Sequence, residues 1–525
     1  MTPVKLKFSA IQAVLLASLC LNVIGIWWGL PGTRGWAPDE ILPSRVLEGM
    51  HQFFSNNWAD KYPPLQYYLL SLLYLPFFLL QKLRLLDFPE LLTYTALFYV
   101  GRLLSLAMAT ATVYLVFRTG LEIFDKRSSL FAASITALLI PFVYYSKMAN
   151  LDVPFTFWFV WSLFFFIRIL KTQARKYYGL FALTAVCSVC TKDQAYGLYI
   201  LPPFIIIFSH WLALRKAGRN RALIRALLSR STLSAVLVAV VTFVVIHNFL
   251  FNARGVLNHF RLIVGPLSQN YRMFANTLSG RVHLLWETIR QIQYCQGWPL
   301  FVVCGLGLLA SIARAKKNAR LLSLIGFAIS YYLFYINVIL YNYDRFNLPI
   351  CIILAFFGGR ILSEAIGTGK KFRALQAAGL FLLFGYTFLY AASVDVLMVK
   401  DSRYRVERWM KENVSPDAVI GVASPLEYVP RLRNFKWVGL KLSPGVLEGK
   451  ERPDYILFNV DYSRSFPEHT PEKDFFAQFY RNSSVYKMAF AYQTPLRWLP
   501  LKTRGILTNI KAINPEIRIF RRVEP

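Results

Sequence analysis

Long apolar runs, separated by short polar segments, constrain this 525-residue chain more than any other feature of its sequence. Several of them approach the roughly 20 residues that an α-helix needs to cross a hydrocarbon layer about 30 Å thick. Hydrophobic residues form 56% of the chain, and its mean hydropathy is +0.41. The pattern predicts an all-α polytopic membrane domain. The first run continues into "WWGLPG" without a small-residue cleavage pattern, so we expect a retained helix rather than a removed signal peptide.

The chain has 59 basic and 28 acidic residues, a net charge of +31. In a soluble protein this excess would indicate nucleic-acid binding. Here the basic residues cluster between apolar runs, as in the cytoplasmic loops of membrane proteins, so we expect no nucleic-acid partner. The six cysteines lie in or beside apolar runs, and "CSVC" at 187–190 has no second pair or histidine cluster beside it. We therefore predict neither a disulfide framework nor a metal site.

The basic clusters also predict the topology. The positive-inside rule places the N-terminus, with Lys5 and Lys7, and the basic clusters from Arg118 onward all in the cytoplasm. They can share that side only if one of the early apolar runs does not cross the membrane. The run at 65–81 is short and has Pro76 in its middle, so we expect it to lie along the outer face. About eleven spans remain, with a membrane-hugging external segment at about 31–92 and an external C-terminus. The expected spans lie near 8–30, 93–117, 129–146, 153–170, 177–190, 196–213, 231–251, 298–313, 321–340, 347–366 and 375–397.

Polarity rises abruptly after the last apolar run. We therefore expect a transmembrane domain at 1–397 and a small extracytoplasmic α/β domain at 398–525. In the second part, "YRVERWMKENV" has helical periodicity, while "AVIGVA", "YILFNV", "YKMAFAY" and "IRIFRRV" are typical of strands.

Charged residues collect at the outer ends of the expected spans. The acid pair of "WAPDE", Asp39 and Glu40, follows the first run, and Asp152 precedes a later one in "NLDVPF". A carboxylate that moves toward the centre of a membrane helix costs about 2.5–3.5 kcal/mol on insertion scales. Acids embedded in apolar, proline-containing sequence therefore indicate function, although a lone acid at a helix start is often only an N-cap. The cations that share these outer loops include Lys61, Lys147 and Arg345.

Carboxylates beside cations on one face of a membrane suit the transfer of a sugar from a polyprenyl-phosphate carrier. The leaving phosphate is a stable anion, which Lys or Arg stabilises without a protonating acid. A carboxylate can take the proton of the acceptor hydroxyl, and a nearby carboxylate favours an oxocarbenium-like transition state. A monophosphate carrier has no diphosphate for a divalent metal to neutralise. The chain also lacks a Walker A, HExxH or dinucleotide-binding motif.

Four elements in this order resemble a known family. They are the acid pair after the first span, "DKYPP" in the same loop, "YSKMANLDVP" before a later span, and "YDRFNLP" near the end of the membrane domain. Together they resemble the GT-C membrane glycosyltransferases, in particular the protein O-mannosyltransferases and the bacterial lipid A aminoarabinose transferase, over about residues 8–400. The resemblance implies a GT-C fold with external helices flat on the membrane. The region after residue 400 does not resemble the β-trefoil of eukaryotic O-mannosyltransferases.

The resemblance also implies roles. Asp39 matches the first-loop acid that acts as catalytic base, and Asp152 matches the second-loop acid that shapes the acceptor or sugar site. Lys61 and Arg345 match ligands of the donor phosphate, although "KYPP" stands where relatives have "KPP"; Lys147 stands where relatives often have Arg. The expected catalytic residues are Asp39, Glu40 and Asp152, the expected donor-phosphate ligands are Lys61, Arg345 and Lys147, and the expected substrate-binding residues are Tyr62, Tyr343 and His259.

The sequence thus predicts an inverting glycosyltransferase of the plasma (inner) membrane. It would move a hexosyl or pentosyl group from a polyprenyl-phosphate donor to a hydroxyl or phosphate of a protein, lipid or glycan at the outer face, without a cofactor or metal. The alternative is a lipid or solute transporter. Transporters tend to show repeats and polar groups near the bilayer midplane, whereas the charged residues of this chain collect at the outer ends of the expected spans. A membrane scaffold would leave Asp39, Lys61 and Asp152 without a shared purpose. The sugar and the acceptor stay open.

Overall fold

The computed structural model describes residues 9–85, 89–265, 271–366, 373–443, 452–480 and 485–523. Its first part is helical, and its second part carries a five-stranded sheet. The helices of the first part are α1 (Ala10–Val23), α2 (Pro43–His51), α3 (Leu65–Lys82), α4 (Glu90–Ile123), α5 (Lys126–Ala137), α6 (Ile140–Tyr145), α7 (Asp152–Thr172), α8 (Arg175–Thr191), α9 (Pro202–Lys216), α10 (Ala222–Leu227), α11 (Arg230–Ile246), α12 (Phe249–Val264), α13 (Leu278–Ala313), α14 (Ala315–Ser323), α15 (Ile325–Tyr331), α16 (Asn337–Ile339), α17 (Leu348–Ala365) and α18 (Arg373–Val399). Those of the second part are α19 (Ser402–Asn413), α20 (Val460–Arg464) and α21 (Pro471–Tyr480).

Each of the eleven apolar runs that we expected to span contains helix, although the first is helical only over Ala10–Val23. Over the described residues, seven helices are long and apolar enough to cross a membrane, or eight if α14 and the helix at 325–339, bent by 48°, form one span. The shorter helices α1, α5 with α6, and α8 account for the difference from eleven. Helix α3 is not among the candidate spans. The polytopic all-α class is confirmed; the sidedness stays a prediction, and Lys5 and Lys7 lie outside the described residues.

Local chemistry explains where the helices begin. Asp125 caps α5 by accepting hydrogen bonds from the backbone N–H groups of Arg127 and Ser128. Helices α9 and α17 begin with a proline in the first turn, where the missing N–H costs nothing. At the centre, α17 packs against α5 so closely that a Cβ on Gly359 would lie 2.6 Å from the backbone nitrogen of Ala132. A small residue is therefore required at this helix crossing.

The sheet of the second part has the order β2-β1-β3-β5-β4. Its strands are β1 (Val419–Val422), β2 (Lys436–Gly439), β3 (Tyr455–Asn459), β4 (Tyr486–Tyr492) and β5 (Ile517–Arg522). Strand β1 pairs in parallel with β2 and β3, whereas β5 pairs antiparallel with β3 and β4. All five residues of β3 are buried, as in a strand covered on both faces. The α/β class and the four predicted strands are confirmed, but β2 was missed because its four residues are all exposed and lack alternation.

A buried arginine fastens the second part to the first. Arg403, at the start of α19, donates to both carboxylate oxygens of Asp401, at 2.9 and 2.7 Å. Its guanidinium lies 5.0 Å from the ring of Trp28 and 4.2 Å from that of Trp36. Trp28 also donates its indole N–H to Asp401, at 2.9 Å. The sheet domain is therefore held against the segment that leads from α1 to Asp39.

Candidate active site

Five charged side chains from four separate regions form one alternating row. Lys61 donates to Oδ1 of Asp39 at 2.8 Å, and Arg345 donates to Oδ2 of the same carboxylate at 2.8 Å. The same guanidinium nitrogen of Arg345 lies 3.9 Å from Oδ2 of Asp152. The other oxygen of Asp152 accepts from Lys192 at 2.6 Å. Positive and negative groups therefore alternate from Lys61 to Lys192, and we call these five residues the charge row.

The backbone positions the two acids of the row. Asp39 has φ +60°, the left-handed region, and Asp152 begins α7. Asn150 connects them, because its side-chain N–H donates to the carbonyl of Asp39 at 3.2 Å and its side-chain oxygen accepts from the N–H of Asp152 at 2.7 Å. A non-glycine residue in the left-handed region stores strain, which is common at functional sites.

The charges and the burial of the row shift the pKa values of groups within it and beside it. Burial alone would raise the pKa of Asp39, but the charges of Arg345 and Lys61 and their hydrogen bonds hold it well below its usual range. Burial, with the nearby charge of Asp39, raises the pKa of Tyr62 to about 12. Burial lowers the pKa of Lys192 to about 8, against the opposing effect of Asp152. Asp39 is thus ionised at every physiological pH.

Two buried polar atoms of the row lack a hydrogen-bond partner among the described residues. They are Oδ2 of Asp152 and Nε of Arg345. Their side chains are 0% and 12% exposed. Nearly all buried polar groups in proteins are hydrogen-bonded, so these two atoms indicate a place for polar atoms of a ligand.

The loop that carries Arg345 is held by the second part of the chain. Asp344 accepts from the hydroxyl of Thr508 at 2.7 Å, and its backbone N–H donates to the carbonyl of Leu507 at 3.1 Å. Tyr343 donates its hydroxyl to Asn509 at 2.6 Å, and its ring lies 4.9 Å from the guanidinium of Arg345. The C-terminal domain thereby fixes the position of Arg345.

Glu40, predicted to be catalytic, faces away from the row. Both of its oxygens accept from the buried Arg102 at 2.8 Å, and one also accepts from the N–H of Ala149 at 3.0 Å. A Cβ on Gly35 would collide with the end of the Glu40 side chain, so a larger residue there would displace this pair. The contacts give Glu40 a positioning role: it connects the segment before α2 to α4 and to the loop before α7.

Lys147 does not contact the charge row, contrary to its predicted role as a phosphate ligand. It is fully buried and forms an ion pair with Asp395 of α18. It also donates to the carbonyls of Leu21 and Ile24 at 3.0 and 2.9 Å, the free acceptors at the C-terminal end of α1. Lys147 therefore connects its own loop, between α6 and α7, to the end of α1 and to α18.

His259 does not contact the charge row itself but contacts residues next to it in the chain. Its Nδ1 donates to the carbonyl of Asp60 at 2.8 Å, and its Nε2 lies 3.2 Å from Asp193. Burial lowers the pKa of this imidazole, but the hydrogen bond and charge of Asp193 outweigh burial and raise it. His259 thus fixes the backbone next to Lys61, whereas the pKa of Tyr62 responds to the charges of four members of the row, Asp39, Lys61, Arg345 and Asp152.

Lys192 is the member of the row that the sequence analysis did not select. It follows α8 directly in "CTKDQAYG" and is buried with Asp152. A lysine directly at the end of an apolar helix was the available signal. Over the described residues, no three His, Cys, Asp or Glu side chains group as metal ligands would.

Known proteins resemble this chain in two ways. A family model described as dolichyl-phosphate-mannose-protein mannosyltransferase matches residues 94–247. The structure of the Archaeoglobus fulgidus oligosaccharyltransferase aligns with 98% of this chain and 88% of its own, with a TM-score of 0.51 and 13% identity. ArnT from Cupriavidus metallidurans aligns over 97% of both chains, with a TM-score of 0.49 and 13% identity. No curated protein sequence matches the chain.

We expect Lys147→Met to lower the stability of the protein by about 3–5 kcal/mol, because it leaves Asp395 buried without its counter-charge. The double variant Lys147→Met/Asp395→Leu should recover most of this loss. The matched control is Lys171→Met, since Lys171 pairs with Glu122 at a position 32% exposed, where a pair contributes about 0–1 kcal/mol. Thermal unfolding in detergent measures all three. Equal stability of the two single variants would contradict a framing role for Lys147.

Proposed function

The chain has the GT-C glycosyltransferase fold, and we propose that it is an inverting enzyme that transfers a sugar from a polyprenyl-phosphate donor to an acceptor hydroxyl. The observation that most supports this proposal is the charge row, in which two cations, Lys61 and Arg345, lie beside the carboxylate of Asp39. The description of the matching family model, which includes a dolichyl-phosphate sugar, supports a lipid-phosphate donor.

In the proposed reaction the acceptor oxygen attacks the anomeric carbon from the side opposite the phosphate. The bond from that carbon to the phosphate oxygen breaks, and its electron pair leaves with the polyprenyl phosphate. Lys61 and Arg345 stabilise the negative charge of this leaving group. Asp39 takes the proton of the acceptor hydroxyl.

Donor binding itself would activate Asp39. In the free protein both of its oxygens are occupied by Lys61 and Arg345, which makes the carboxylate a weak base. A phosphate group competes for the same two cations. When they turn toward it, the pKa of Asp39 rises toward its ordinary value and the carboxylate becomes free to accept a proton. The base is therefore available only when the leaving group is in place.

Asp152 and Lys192 would shape the sugar side of the site. The unpartnered oxygen of Asp152 can accept from a sugar hydroxyl, and its charge favours the positive character of the anomeric carbon in the transition state. Lys192 keeps the charge of Asp152 compensated. We place this site at the outer face of the plasma (inner) membrane, with the N-terminus cytoplasmic and the C-terminal domain extracytoplasmic.

Asp39→Asn should reduce transfer by about 10²–10⁴-fold, the usual contribution of a positioned base, while the protein remains folded and inserted. Mass spectrometry of glycoconjugates from cells that lack the gene and carry each variant measures the product. Asp417→Asn is the control, because that carboxylate is 90% exposed on the C-terminal domain. Normal product from Asp39→Asn would remove Asp39 from the mechanism.

Lys61→Met should move the acid limb of the kcat/KM profile to higher pH. In the wild type Lys61 and Arg345 depress the pKa of Asp39, so the base stays ionised as the pH falls; without Lys61 this pKa rises, and activity is lost at a higher pH. The release of polyprenyl phosphate from a polyprenyl-phosphate sugar provides the rate. Lys171→Met should leave the limb in place. An unchanged limb in Lys61→Met would refute the coupling of Lys61 to the base.

We also propose that the reaction needs no divalent metal, since two cationic side chains suffice for a monophosphate leaving group. EDTA should leave the release of polyprenyl phosphate unchanged. Inactivation that one specific divalent ion reverses would contradict this account.

A further inference from the structure

The strand order of the C-terminal domain creates a crevice that the charge row does not use. The chain runs from β1 to β2 on one side and then crosses to β3 on the other side of β1. In open parallel sheets, ligands bind outside the carboxyl ends of the strands at such a switch point. The segment 424–428 follows β1, and α20 follows β3. We call the space between them the switch crevice.

Two tyrosines lie at this switch point, and their rings contact each other. The rings of Tyr428 and Tyr462 are both half-buried, with centroids 6.1 Å apart and an interplanar angle of 39°. Asn459 holds both: its side-chain N–H donates to the carbonyl of Tyr428 at 3.2 Å, and its side-chain oxygen accepts from the N–H of Tyr462 at 3.0 Å. The N–H of Asn459 donates to Ser424 at 3.1 Å. The ring pair is therefore built into the ends of β1 and β3.

The polar groups of the crevice are available to a ligand. Neither phenol hydroxyl of Tyr428 and Tyr462 has a hydrogen-bond partner among the described residues, and the carboxylates of Glu427 and Glu472 have no cation partner there. Burial, Glu472 and Glu427 raise the pKa of Tyr462. The crevice thus offers aromatic faces, hydroxyl groups and negative charge.

The crevice lies beside the charge row. Arg403 donates to the carbonyl of Glu427 at 2.7 Å while its guanidinium packs on Trp36, three residues before Asp39. Arg431 donates to the carbonyl of Leu30 on the same segment. The pKa of Tyr428 is raised by burial, by Glu427 and then by the charge of Asp39. A molecule held against the exposed faces of these two tyrosines is therefore close to the proposed base.

We propose that the switch crevice binds the carbohydrate part of the acceptor, so that the acceptor of this enzyme is a glycan or a glycan-bearing molecule. Aromatic faces with polar tips match the apolar and hydroxylated surfaces of a pyranose ring. Carboxylates accept hydrogen bonds from neighbouring sugar hydroxyls. The negative charge disfavours a second anionic lipid head group, which separates the acceptor from the phosphate donor. The identity of the bound sugar as acceptor rests on the proposed function; its binding does not.

An array of defined immobilised oligosaccharides, probed with the labelled full-length protein in lipid nanodiscs, tests the crevice. We expect the wild type to retain a subset of the glycans. Tyr428→Ala/Tyr462→Ala should weaken that retention at least about tenfold, as the loss of aromatic anchors does at other binding sites. Trp437→Ala removes an exposed aromatic residue of the edge strand β2 that is not part of the ring pair, and this variant should bind like the wild type.

Glu427→Gln removes one charge without changing the packing, and it also should weaken retention. This second variant keeps the test valid if the double variant folds poorly. Two results would overturn the crevice: a wild type that retains no glycan, and retention that both Tyr428→Ala/Tyr462→Ala and Glu427→Gln leave intact. Glycan binding by a wild type that releases no polyprenyl phosphate would instead support the crevice and refute the proposed function.

Discussion

The ion pair between Arg345 and Asp39 joins residues 306 positions apart in the chain. A guanidinium that is only 12% exposed needs nearby negative charge, since an unpaired buried charge is strongly unfavourable. Asp39 and Asp152 provide it from two different outer loops. Each acid in turn meets a lysine. The compensation of charge in a poorly hydrated setting therefore brings together four segments of the chain, which carry Asp39 with Lys61, Asp152, Lys192 and Arg345.

The surrounding frame keeps that place fixed. Glu40 with Arg102 and Lys147 with Asp395 are buried pairs that connect helices and loops on either side of the row. Replacing such pairs with apolar residues is often neutral for stability, so their contribution here is better described as geometric. Thr508 adds a contact from the far end of the chain. The C-terminal domain is thus part of the site rather than an appendage.

The sequence analysis recognised elements more reliably than partners. Apolar length predicted helices in the eleven expected spans but not α2 or α12, and strand-like segments predicted four of the five strands. The ion-pair partners of the lysines could not be predicted from the sequence. Lys147 and Lys192 stand at similar positions, each in an outer loop beside an acid or an apolar helix. One pairs with Asp395 of the last long helix and the other with Asp152. Sequence spacing gives no means of choosing between them, because both partners are distant in the chain.

The sequence by itself determined the apolar helices of a polytopic membrane protein and the small α/β unit that follows them, and it singled out every member of the charge row except Lys192. These features follow from hydrophobicity, periodicity and local motif order. Only the tertiary structure decided that Asp39 pairs with both Lys61 and Arg345 and that both oxygens of Glu40 pair with Arg102. It also decided that the sheet domain contacts the loop that carries Arg345. Such pairings depend on which distant segments the packing brings within about 3 Å, the range of a hydrogen bond, and no local pattern encodes that distance.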